Sequence, residues 1–423
     1  MPSNSFSREE IVAFDQLLEG FEDQEVLSRN VSIYSTNQTM MARTGDVIWR
    51  PQPYISQSFD GMDQTNNFGP YTQLSVPATI GISKSVPWIM DAKELRDALQ
   101  EKRLGDSAKQ KLASDINIAI MNVASAQGTL VVPISTAAGT YDNVALCDSI
   151  MNEQGVVPFD RYLALSSRDY NGMAGNLVGT ARSFGNNKSD KAYERSYVGM
   201  VASFDTYKLD YANRIGVAGG GATNIDTQAS AGNYYVPQGT STASTGEWSN
   251  VDNRFQTITV DNTVGIAAGD CFTIAGVEAV HHITKQSTGQ LKTFRVISVT
   301  NGTQMVICPP IISGQGGSDA ELQYKNVEVT PDASADFTWL NIHAANINPF
   351  WQKDALEILP GRYAVPTDAG AAVMRGTTTN GIEIVMSKFF DIDTLKTKFR
   401  VDTLFGVVNK QPEMSGILIF GQA

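Results

Sequence analysis

Three histidines, three cysteines and one glycine run are the residues in this chain that could carry chemistry. His281 and His282 are adjacent, so on a strand they point to opposite faces and do not readily share a metal ion. Cys147, Cys271 and Cys308 are odd in number and far apart. They form neither a zinc pattern nor a disulfide framework, which fits a reducing compartment, and no histidine stands near them to activate a thiolate. Gly216-Val-Ala-Gly-Gly-Gly221 has the composition of a phosphate loop but the wrong spacing, and no strand–loop–helix context surrounds it. It reads as a hinge. Asp391 and Asp393 read as turn residues rather than an acid–base pair. No H-E-x-x-H, C-x-x-C, G-x-S-x-G or G-x-x-x-x-G-K-[ST] occurs. Lys93, Arg96, Lys102, Arg103, Lys109 and Lys111 alternate with Asp91, Glu94, Asp97, Glu101 and Asp106, the pattern of a salt-bridged helix face. The expectation is no enzyme, no cofactor and no metal.

With chemistry set aside, the composition points to contact. The 423 residues are 42% hydrophobic but only 18% charged, with 36 Gly and 14 Tyr. Ordinary soluble domains carry roughly 25% charge. So little charge on so long a chain implies a surface covered by other chains. A formal net charge of −12 argues against a protein that grips phosphates. Met1-Pro2-Ser3-Asn4 has neither a basic nor an apolar run, so no secretory signal is expected. The longest uncharged run, Ile116 to Tyr141, holds Asn117, Asn122, Gln127 and Pro133 and is too polar to span a membrane.

The elements follow from periodicity. Ser7-Arg8-Glu9-Glu10 is a capping box, and Ile11, Phe14, Leu17, Leu18 and Phe21 continue at helical spacing to about residue 22. Such a helix packs on its own core or serves as an arm that docks on a neighbour. Residues 46–87 read as one long hairpin with a polar tip at Ser56–Pro70, either laid on its own domain or reaching another subunit. Asp91 caps a helix that pauses at Gly105 and restarts, with its main run over Ala108–Ala126. Strand and helix then alternate: Thr129–Ile134, a helix over Leu146–Gly155, Tyr162–Leu165, and a helix capped by Ser166 or Ser167. Arg182–Tyr197 reads as a loop.

From about Gly219 to Thr338 the texture changes to short strands and turns rich in Thr, Ser and Gly. Arg254–Val260, Cys271–Ala275 and Tyr324–Val329 read as strands. Asn301-Gly302 between β-rich runs is a hairpin signal. Residues 222–342 hold 11 acidic and 5 basic residues, a net of −6, as suits an exposed module. Strand signals return at 354–358, 382–386, 399–408 and 417–420, so the flanking halves pair across an insertion.

Val251-Asp-Asn-Arg-Phe-Gln-Thr-Ile-Thr-Val260, Phe272-Thr-Ile-Ala-Gly-Val277, Pro349-Phe-Trp-Gln-Lys-Asp-Ala-Leu-Glu-Ile358 and Asp46-Val-Ile-Trp49 resemble the major coat protein of short-tailed enteric bacteriophages, the podoviruses of Salmonella and Shigella. The resemblance runs over essentially the whole chain. It implies an α+β fold of the Hong Kong 97-like capsid type with an inserted, telokin-like all-β barrel. The expected parts are an N-terminal arm (1–30), an extended loop (51–87) and a peripheral domain with a spine helix (31–50, 88–130 and 404–423). An axial domain (131–221 and 343–403) and the insertion domain (222–342) complete them.

The function so implied is structural. Hexamers and pentamers co-assemble with scaffolding protein into an icosahedral procapsid, a portal occupies one vertex, and the shell encloses double-stranded DNA without reading its sequence. No membrane is involved; the location is the virion, and the host cytoplasm during assembly. Intersubunit contacts are expected at Phe14 and Leu17 of the arm, at Phe59, Asp60, Asn66, Phe68 and Tyr71 of the loop, and at Glu247 and Trp248. In such relatives a charged insertion-domain loop joins capsomers. Here Gln238–Asn250 is nearly all Ser, Thr and Gly with Glu247 its one charge, so ion pairing there is doubtful. No Lys–Asn pair for self-crosslinking is expected. The alternative is a glycan- or receptor-binding surface protein, or a decoration protein.

Overall fold

In the computed structural model, residues 6, 8–24, 27–34, 47–52, 58–65, 68, 74–91, 98–181, 187–226, 241–242, 248–249, 252–315, 319–364, 371–378 and 380–423 are described. The chain forms two units. One comprises Met1–Ile48, Ala78–Ile120 and Leu356–Val408; the other comprises Trp49–Pro77, Met121–Ala355 and Asn409–Ala423. Among the described residues no helix is long and apolar enough to cross a membrane.

The first unit is organised by the long strand Lys396–Asn409. Ile82–Asp91 pairs antiparallel along it from Phe405 to Lys396, and Glu383–Asp391 also pairs antiparallel with it. Leu356–Pro360, Ser32–Ile33 and Ala372–Thr377 complete a six-stranded sheet. Helix α1 (Arg8–Gln24) buries Phe14 and Leu17 on this unit's core. Glu10 is also buried and forms an ion pair with Lys388, whose ammonium lies over the Phe399 ring; Phe399 in turn stacks on Trp88 at 5.6 Å. Ser7, the expected capping partner of Glu10, lies outside the described residues.

Tertiary packing revises three expectations in this region. Helix α2 (Ala98–Gln127) runs through Gly105 without a pause, because Ala108, Leu112, Ile116, Ile120 and Ala124 are all at most 1% exposed. Burial of that stripe outweighs the roughly 1 kcal/mol that a helical glycine costs. Asp91 ends a strand rather than capping a helix at that residue. The hairpin is also shorter than 46–87. Among the described residues Val47–Pro51 pairs only with Ser75–Thr79, and the chain beyond Gly81 leaves the ribbon for the longer ladder on 396–405.

In the second unit, a six-stranded mixed sheet takes the order Leu130–Pro133, Ser415–Ile419, Asn348–Gln352, Arg161–Ser166, Phe204–Leu209, Met200–Val201. Helices α3 (Tyr141–Glu153) and α4 (Ser167–Ala181) supply Val144, Cys147, Met151, Tyr170 and Met173 to the core on Leu163, Phe204 and Phe350. Helix α5 (Asn187–Arg195) stands where a loop was expected. Its low hydropathy hid it, since only Ala192 is buried among its described side chains.

The insertion leaves and returns through one neck, where Arg214–Ile215 pairs antiparallel with Ala345–Asn346. A module whose two ends lie side by side interrupts its host sheet at little cost. Its strands run Gln256–Thr259, Gln304–Cys308, Ser287–Asn301, Cys271–Val280, Phe337–Trp339, all antiparallel. Asn224 and Ile225 bridge the two edges, at Asp336 and Val260, and close the sheet into a small barrel. Its core stacks Phe272 between Phe337 (4.6 Å) and Phe294 (5.7 Å). Asn301 pairs with Gln304, so the hairpin turn is Gly302-Thr303, and neither Asn301 nor Gly302 takes positive φ. The Asn301 carboxamide instead accepts the Thr303 amide at 2.9 Å and holds the turn. Tyr324 is the last residue of helix α6 (Asp319–Tyr324) rather than the start of a strand.

Gly416 marks the tightest point of the mixed sheet, where an added Cβ would sit 2.2 Å from the Leu130 carbonyl oxygen and 2.4 Å from the Phe350 ring. Gly416→Ala is expected to destabilise the protein by about 3 kcal/mol, read as a shift in denaturant midpoint at constant slope.

Candidate assembly surfaces and the junction that carries them

The barrel is tied to its own unit by a buried polar junction on the strand Ser287–Asn301. Lys292, 2% exposed, donates from Nζ to Glu413 Oε1 at 2.6 Å and to Gln154 Oε1 at 3.1 Å. Thr293 Oγ1 donates to the Thr129 carbonyl (2.6 Å) and accepts the Val131 amide (3.3 Å). Arg295 Nη1 donates to the Gly128 carbonyl at 3.2 Å. Nearby, Arg254 grips Asp252 with two nitrogens (2.7 and 2.9 Å) and donates to the Asn409 carbonyl (2.9 Å). Asn326 Nδ2 adds a second donor to Glu413 at 3.2 Å. An apolar layer of Val131, Ile215, Cys271, Ile347, Ile417 and Ile419 backs these contacts.

Every charge here is compensated by its environment. Burial by itself would raise the Glu413 carboxyl, but the ammonium of Lys292, with His282 and Lys285, holds it down to about 2. Burial pushes His282 down to about 4, against the pull of Glu413. It likewise lowers Lys285 to about 8. His282 is therefore neutral at neutral pH, 3.6 Å from Glu413 Oε2 and 3.2 Å from Gln411 Nε2.

The adjacent histidines go separate ways. The His281 ring lies over Gly155, where positive φ and the absence of a Cβ leave room for it, and its Nδ1 accepts the amides of Ile283 and Thr284. His343 Nε2 meets the Ala423 carbonyl at 2.7 Å. Among the described residues no group of three His, Cys, Asp or Glu gathers to hold a metal. The three cysteines are buried, and burial raises all their thiols, Cys271 to about 11.

The expected contact residues fall in three places. Phe14 and Leu17 are spent on their own unit's core, and α1 presents Ile11 (44% exposed) and Val12 (55%) instead. On the loop, Asp60 is exposed and Phe59, Met62 and Phe68 stand in the open, Phe68 at 88%. The loop makes local bonds of its own, Gln64 Nε2 to the Gly61 carbonyl (2.7 Å) and Thr65 to Asp63. Asn66, Tyr71 and Glu247 lie outside the described residues. Trp248 is placed only as backbone, in a two-stranded ribbon opposite Thr242.

The sequence reading missed the junction. A signal for it exists: of the five basic residues of 222–342, Arg254, Lys292 and Arg295 are all at least nine-tenths buried. Cations so scarce in an exposed acidic module are the ones that face inward.

Residues 1–421 match the family model described as P22 coat protein, gene protein 5. Among solved structures, the CUS-3 coat protein I-domain is similar at 38% identity, with 28% of this chain and 96% of that chain covered and a TM-score of 0.23. A chain of Mycobacterium phage Che8 is similar at 8% identity over 92% of each chain, TM-score 0.42. The capsid of cyanophage P-SCSP1u is similar at 12% identity over 93% of this chain and 86% of that one, TM-score 0.43.

Glu413→Gln leaves a buried ammonium uncompensated and should cost about 3–5 kcal/mol; adding Lys292→Met should recover much of this, giving a large coupling in a double-mutant cycle. Acid should loosen the junction in two stages. His282 binds a proton when unfolded below about pH 6.5 but not when folded until about 4, so stability falls as pH drops across that window. The contribution of Glu413 is present above its unfolded value, near 4.5, and is lost as pH falls towards 2. Unfolding measured against pH should show both stages, and His282→Gln should flatten the first.

Proposed function

The chain belongs to the P22 coat protein family, a structural major capsid protein that assembles with its own copies into a phage head, and from this premise we propose how its parts serve the shell. The subunit takes the Hong Kong 97-like arrangement, and its hexamers and pentamers close around a scaffolding protein, with a portal at one vertex and double-stranded DNA packaged inside. The loop tip reaches the neighbouring subunit. Exposure of Phe59, Met62 and Phe68 on a narrow two-stranded stem is the observation that supports this. Large exposed apolar side chains are costly unless a second surface covers them. The face of α1 carrying Ile11 and Val12 supports a second contact of the same kind. Each contact is weak, and a closed symmetric shell multiplies it.

The charge balance suits a container. A net charge of −12 gives the encapsidated DNA no reason to adhere, and release then needs no counterion exchange at the wall. The insertion ribbon around Trp248 meets other capsomers through hydrogen bonds and apolar contact, because Glu247 is the one charge in 238–250.

Deleting residues 56–70 should leave a folded subunit, with wild-type cooperative melting, that builds no closed shells when co-expressed with scaffolding protein. Negative-stain electron microscopy reads the outcome. Closed shells of normal size from the deletion would defeat the role given to the loop tip.

A further inference from the structure

The insertion domain touches more than its own host sheet. Leu74, on the return leg of the extended loop, is 3% exposed, and its backbone N–H donates to the Tyr324 hydroxyl of α6 at 3.0 Å. Its carbonyl accepts the Gln52 amide from the outgoing leg at 2.9 Å. Gln52, 7% exposed, reaches from Nε2 to the Lys410 carbonyl at 3.4 Å. Both legs of the stem are thus tied at the loop end of the ribbon, one of them to the barrel.

We propose that Tyr324 is a positioning residue for assembly: its hydroxyl pins the stem and sets the direction in which the extended loop leaves the subunit. This rests on the reading that the loop reaches a neighbour. A ribbon of two five-residue strands has little stability of its own, so its direction must come from what holds it. A buried backbone N–H must find an acceptor, and Leu74 finds one in the barrel, 250 residues away in sequence. Tyr324 is itself held firmly. Just after it, Asn326 accepts the Ile312 amide (3.0 Å) and donates to the Pro310 carbonyl (2.8 Å) as well as to Glu413. The barrel's seat on Glu413 and the stem's seat on Tyr324 are therefore one connected structure. A cavity of about 30 Å³ lies at their meeting point, lined by Gln52, Leu74, Tyr324, Asn326, Gln411 and Glu413 among others. It is large enough for a water, and the buried Gln411 Oε1, without a partner among the described residues, offers an acceptor to it.

The test uses the full-length subunit. Tyr324→Phe keeps the ring and removes the acceptor. Hydrogen exchange at Leu74 should accelerate by about tenfold while the barrel amides of Phe272 and Phe294 keep wild-type protection. Assembly with scaffolding protein should then yield shells of broadened size or incomplete closure. Gln52→Leu, which cuts the other tie and leaves the Leu74–Tyr324 bond in place, should do the same to assembly. Unchanged exchange at Leu74 would overturn the proposal, as would faster exchange accompanied by shells of wild-type size and closure. Failure of the loop reading appears separately, as normal shells from the 56–70 deletion, whatever Tyr324→Phe does.

Discussion

A lysine ammonium removed from water needs a partner, and Lys292 has its carboxylate outside the barrel that carries it. The idealised penalty for desolvating one such charge is of order 20 kcal/mol, several of which survive in real proteins. Glu413 and Gln154 meet that demand from the 3-10 turn Pro412–Met414 that leads into the host sheet and from the residue after α3. The barrel therefore has one seat. Its apolar backing of Val131, Cys271 and Ile417 could tolerate small slides, but a charged pair 2.6 Å apart, with the Gln154 amide oxygen accepting from Lys292 and the Asn326 amide donating to Glu413, does not. Orientation of the module comes from the polar contacts, and much of its affinity for the sheet from the apolar ones.

That division matters for a protein whose product is a shell. Small angular errors in one subunit repeat in every copy, so the joints inside the subunit need more definition than the contacts between subunits. The neck of Arg214–Ile215 and Ala345–Asn346, the Lys292–Glu413 pair and the Arg254–Asp252 fork all act within one unit. The side chains proposed here to meet neighbours are apolar: Ile11, Val12, Phe59, Met62 and Phe68. Low surface charge is consistent with this, because reversible assembly favours many weak apolar contacts over a few strong ion pairs.

Much of the secondary structure was legible from local pattern. Helix α1, the alternation of Leu74, Val76, Ala78 and Ile80, and the barrel strands around Phe294 and Met305 follow from periodicity, since their buried faces repeat at 3.6 or 2 residues. Legibility failed where the decisive partner was distant. Gly105 does not stop α2 because a buried stripe sustains the helix. The run after Gly81 leaves its hairpin for a longer ladder more than 300 residues away. The Asn301-Gly302 signal did find its hairpin, with the turn one residue later at Gly302-Thr303. Helix α5 was invisible because, of its described side chains, only Ala192 is buried.

The sequence by itself determined the class of protein: low charge, an empty search for catalytic groups, an inserted β module and coat-protein segments in order along the chain. These are properties of composition and of local runs, and no folding is needed to read them. Tertiary structure alone decided which cations of the module are structural, what holds the base of the extended loop, and that Phe14 and Leu17 serve the subunit's own core. Each depends on pairing residues remote in sequence, such as Lys292 with Glu413 or Leu74 with Tyr324. Their energy comes from being buried together, and burial is a property of the folded chain.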